Sequence, residues 1–99
     1  MLADWVERHT SEAPAALRTR VQQHVAAADV GWAVPDALAR AAQQALGAVL
    51  THPGDRSVAL DLLAADALIT LALLAQAQRA PEGLGEFAAS ILQLVRPDA

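Results

Sequence analysis

Two carboxylates stand inside the most apolar stretch of the chain, so their chemistry comes first. Between Val58 and Ala77 the polar side chains are Asp61, Asp66, Thr70 and Gln76. A carboxylate on a mostly buried helix must be paired, hydrogen-bonded or protonated, because an isolated charge in an apolar medium is too costly to keep. On a helix, a spacing of five residues turns Asp61 and Asp66 about 140° apart, so they cannot act as an acid/base dyad on one face. They also lack the spacing of the Asp-rich motifs of prenyl-transfer enzymes. Asp66 can instead accept a hydrogen bond from Thr70 one turn on, or meet an Arg or His from a neighbouring helix. Asp66, Thr70 and His24 are the candidate buried polar site, with structural pairing the expected role. Catalysis would require His24, His9 or an Arg to reach Asp66 inside an accessible cleft.

The remaining chemistry-bearing residues are scattered. His9, His24 and His52 lie on different segments and form no HxxxH or ExxH pair. His9 and Glu12 are closely spaced, but Pro14 interrupts helical geometry beside them, so no metal site is expected. His24 falls on an apolar stripe, as a hydrogen-bonded core histidine does, and His52 suits a helix C-terminus. GxSxG, Walker A and GxGxxG patterns are absent, and Gly83-Leu84-Gly85 follows a helix break and not a strand. The chain has no cysteine, which removes disulfides and thiolate chemistry. No catalytic residue and no cofactor is predicted.

Composition narrows the partners. The formal charge is −4, there is no lysine and no cluster of arginines, so nucleic acid and anionic membrane surfaces are not expected ligands. Trp5 and Trp32 have no basic groove that would make them stacking platforms. Hydrophobic residues make up 55% of the chain and charged ones 18%, against about 25% charged in an average domain, so apolar surface is plentiful. Acidic residues near Met1, where a signal peptide needs basic ones, predict a cytoplasmic location.

Helices must position these residues. Leu2, Trp5, Val6 and His9 trace a first short amphipathic helix. Pro14 opens a second, with Leu17, Val21, His24, Val25 and Ala28 on its apolar stripe. Gly31 suits a left-handed stop. Pro35 opens a third helix whose Leu38, Ala41, Ala42, Ala45, Leu46, Val49 and Leu50 share a face. Thr51-His52-Pro53-Gly54-Asp55 is a turn with Asp55 as the next N-cap. After Ala80-Pro81-Glu82-Gly83, a last helix carries Leu84, Phe87, Ala88, Ile91, Leu92 and Val95 before Pro97.

The fourth helix, from about Asp55 to Arg79, is apolar on two sides. Leu60, Leu63, Leu71 and Leu74 make one face; Val58, Leu62, Ile69 and Leu73 make the other. A helix of this type is buried in a core, a dimer seam or a membrane. Two central aspartates, each costing roughly 2.5 to 3.5 kcal/mol on insertion, offset about ten aliphatic residues, so a membrane span is not expected. The prediction is a single all-α domain over residues 1–99, a small bundle of about five helices around this central apolar helix. Its function is predicted to be protein–protein interaction or assembly, most simply as a homodimer. The candidate interface is Leu60, Leu63, Leu71, Leu74, Ile69 and Leu73. The alternative is a binder of a small apolar ligand in a helical cavity, with Asp66 and Thr70 as polar fixing groups.

Overall fold

Proline, glycine and helix-capping residues punctuate the chain at the places where the helices break. The computed structural model describes residues 2–28, 31–51, 54 and 56–95, and it is all-α. The elements are α1 (Leu2–His9), α2 (Ala15–Ala28), α3 (Val34–Thr51), α4 (Arg56–Arg79), a 3₁₀ turn (Pro81–Gly83) and α5 (Leu84–Val95). No strand occurs among the described residues. The side chain of Val95 and the residues Asp55 and His52, assigned above to a stripe, a cap and a helix end, lie outside the described residues.

Pro14 precedes α2 and its carbonyl accepts from the Arg18 amide at 3.0 Å, so the proline stands where a missing N–H costs nothing. Between α1 and α2 the chain turns through Thr10, whose hydroxyl donates to the Val6 carbonyl at 2.8 Å. Gly31 adopts φ 85° before α3, a left-handed conformation that a Cβ disfavours. After α4, the Ala80 amide donates to the Gln76 carbonyl at 2.8 Å and the Gln76 side chain donates to the Ala80 carbonyl at 3.0 Å, closing the helix end.

The core is built mostly from small residues. Ala37, Leu38, Ala39, Ala41, Ala42 and Ala45 of α3 and Ala64, Ala65, Leu68, Leu71, Ala72 and Ala75 of α4 are buried. These two helices make the most extensive contact in the molecule, and small side chains allow their axes to approach closely. Val21, Val25 and Ala28 of α2, Leu2 and Val6 of α1 and Ile91 of α5 complete the cluster. α4 touches α2, α3, α5 and the 3₁₀ turn, as its predicted central place requires. The shortest dimension is 22 Å, about two helix diameters, so each helix keeps an outer face.

Three stripes reach less far into the core than their periodicity predicts. His9 ends α1 exposed, stacked on Trp5 with ring centroids 3.9 Å apart, and its Nδ1 donates to the Trp5 carbonyl at 2.7 Å. Leu50 and Leu92 share the periods of α3 and α5 but are 67% and 59% exposed, because they lie toward helix ends where no neighbour covers them.

Candidate functional site

The alanine face of α4 carries one acid into the interior. Asp61 lies one turn before Ala64 and Ala65, on the side that α2 and α3 cover, and is 6% exposed. One of its oxygens, Oδ1, accepts from Arg20 Nη1 at 2.8 Å and from His24 Nε2 at 3.0 Å. Both donors come from α2, one turn apart. Arg20 also donates to the Ser57 hydroxyl at 3.2 Å, and the Gln44 amide of α3 lies 3.5 Å from His24 Nδ1. His24 thus stands between the Asp61 carboxylate and the Gln44 amide, with one ring nitrogen toward each. Burial pushes the Asp61 carboxyl up, but the hydrogen bonds from His24 and Arg20, with their charges, outweigh it and hold the group below its ordinary value of 3.8.

The network therefore ties α2, α3 and α4 together with every named polar group partnered. Chemically it resembles half of a histidine–carboxylate relay. Neither Asp61 nor His24 lines a described surface groove.

The predicted polar site divides. His24 is buried with Asp61, whereas Asp66 and Thr70 are exposed on the far side of α4. Thr70 Oγ1 donates to the Asp66 backbone carbonyl at 3.0 Å and not to its carboxylate. The expectation that Asp66 is the buried acid is corrected by the rotation of α4: its small residues face inward, and Asp61 falls among them. Arg20, Gln44 and Ser57 were not expected as partners. The signal that could have found them is the alanine stripe, which marks the close-packed side of the helix. Among the described residues, no group of three or more His, Asp or Glu side chains is placed to hold a metal ion.

The candidate interface residues also divide. Leu71 is buried, Leu60, Ile69 and Leu73 are half-buried, and Leu63 and Leu74 are 56% and 39% exposed. With Leu62 at 53%, they give α4 an outward face that is apolar except for Asp66 and Thr70. Shallow open grooves border it on both flanks, the one beside Thr70 being lined by His9, Thr10, Glu12, Ala13, Ala67 and Leu71; two lie on the other flank. One, between α3 and α4, is lined by Leu46, Leu62, Leu63, Ala65, Asp66 and Ile69. The next, between α4 and α5, shares Ile69 and adds Leu73, Ala88, Ile91 and Leu92. α4 is long and apolar enough to cross a membrane, and only 39% of its most apolar window is buried within the chain.

Compared with protein-family models, with curated proteins and with solved structures, the chain matches none.

Proposed function

We propose that this chain is a protein–protein interaction and assembly module that self-associates through the outward face of α4. The observation that carries the reading is the exposure of Leu62, Leu63 and Leu74 on one helix whose opposite side forms the core. With Ala59, Asp66, Thr70 and the half-buried Ile69 and Leu73, these residues form one continuous strip along α4. Leu92 and Leu46 at the groove edges extend it.

Size exclusion with light scattering tests the reading. The wild type at tens of micromolar is expected at twice the 10.3 kDa mass of one chain. Leu63→Glu is expected at the mass of one chain with an unchanged helical spectrum, since Leu63 supports no core contact that the charge would break. A monomeric wild type overturns the proposal, and a monomer that floats with phosphatidylcholine vesicles assigns the face to a membrane. A second reading, a small apolar ligand, is favoured by the groove in which Asp66 stands among apolar residues. Saturable binding of one fluorescent fatty acid per wild-type chain would support it, and its absence would remove it.

A further inference from the structure

We propose that the occupant of this face is a second copy of the chain laid antiparallel along α4, with the twofold axis passing beside Leu68. The proposal rests on the self-association put forward above and specifies its geometry.

Apart from Asp66 and Thr70, the outward row reads the same in both directions. Counted from Leu68, Asp66 and Thr70 lie two residues before and after, Leu63 and Leu73 five, Leu62 and Leu74 six, and Ala59 and Ala77 nine. Ala59 and Ala77 are five whole turns apart, and all the other members fall within about 60° of the line joining them. The series Ala59, Leu63, Asp66, Thr70, Leu73, Ala77 alternates steps of four and three, which is the seam spacing of paired helices.

A twofold interface brings one patch against its own copy, so the patch must complement itself. An axis across α4 at Leu68 reverses the helix and exchanges the members of each pair. Leu63 then packs beside the partner's Leu73, Ala59 beside the partner's Ala77, and Asp66 beside the partner's Thr70, each contact occurring twice. The parallel arrangement instead sets Asp66 against the partner's Asp66, with like charges facing across the seam. In the antiparallel one the carboxylate meets a hydroxyl. Thr70, whose proton now goes to the Asp66 carbonyl of its own helix, turns it to the partner's Asp66, exchanging a neutral hydrogen bond for a charge-assisted one. The face thus matches a second copy in chemistry.

The chain has no cysteine, so single thiols report the register cleanly. Ala59→Cys and Ala77→Cys are made separately, and each is oxidised alone and as an equal mixture. In the antiparallel register each thiol lies about 27 Å from its own copy, and a disulfide needs Cα atoms within about 7 Å, so dimers link in the mixture and not in either variant alone. Linkage in each variant alone, with no gain on mixing, shows a parallel pair and overturns the proposal. A dimer by light scattering with no linkage in any sample places the interface elsewhere and also overturns it, while leaving self-association standing. A monomeric wild type removes both. Thr70→Val supplies an independent test, because Thr70 is exposed and the variant keeps its shape. It leaves two Asp66 carboxylates without donors, and the dissociation constant is expected to rise on the order of a hundredfold. Unchanged or tighter association means that Asp66 does not face the partner's Thr70.

Discussion

Asp61→Asn is the sharpest test of what holds α4 in place. The substitution keeps shape and volume, so no cavity forms, and it removes only the charge from an acid that is 6% exposed. Asp61 Oδ1 accepts from Arg20 and His24 at 2.8 and 3.0 Å. Hydrogen bonds to a charged group contribute about 1.5–3 kcal/mol and neutral ones about 1, so weakening two of them costs roughly 2 kcal/mol. The Arg20 side chain is 25% exposed, which keeps the figure at the lower end of the range. For a domain of this size the loss lowers the thermal midpoint by roughly 8–15 °C. The pH dependence follows from the depressed Asp61 carboxyl. A group more acidic in the folded state stabilises the fold above its unfolded value, and that contribution is lost as pH falls through the folded value. The difference between wild type and variant is therefore steady above about pH 5 and shrinks below about pH 4, while other carboxylates cancel in the comparison. Urea unfolding followed by helical circular dichroism at several pH values measures it. A difference under about 0.5 kcal/mol at neutral pH, or one that does not change on acidification, refutes the reasoning.

Three further outcomes follow from the packing. Ala45→Leu adds volume at a fully buried position of α3 and is expected to cost about 1–3 kcal/mol by urea unfolding. Gly31→Ala and Gly47→Ala form a contrasting pair, since a Cβ at either meets nothing within 4 Å but only Gly31 has positive φ. The first is expected to destabilise by about 1 kcal/mol and the second to stabilise by about 0.5–1, both read by thermal unfolding. Replacing Arg20, His24 and Asp61 together by Leu is expected to leave the chain helical with an unchanged or raised thermal midpoint, as when buried ion pairs give way to apolar groups. Extra or broadened amide resonances, from more than one rotation of α4, are expected in the same variant.

The helices were legible because their signals are local. Proline before α2 and near the start of α3, Gly31 between them, and apolar residues at helical spacing act over a few positions, and the fold follows them to within a residue or two. The rotation of α4 was not legible from hydrophobicity, since leucines lie on two of its sides and alanines on a third. Reading large residues as the buried ones placed Asp66 and Thr70 inside. Small residues won because two helices can approach each other most closely through them, and the contact with α3 is alanine on both sides. The partners of Asp61 come from α2 and α3, and their choice depends on tertiary packing that periodicity does not encode.

The buried network and the exposed face are two consequences of that one rotation. A helix apolar almost all round could turn by 100° and still bury leucine, so burial alone selects its facing weakly. Asp61 makes the choice strict: any other rotation removes its carboxylate from Arg20 and His24, and leaves either a buried charge without partners or Arg20 and His24 without their acceptor. With Asp61 inward, Asp66 must point about 140° away, and the leucines on either side of it must face out. The acid that looks catalytic in isolation thus acts as a rotational key. What it holds outward is the symmetric row from Ala59 to Ala77, so a change that loosens the key is expected to weaken self-association from the opposite side of the helix without touching the interface.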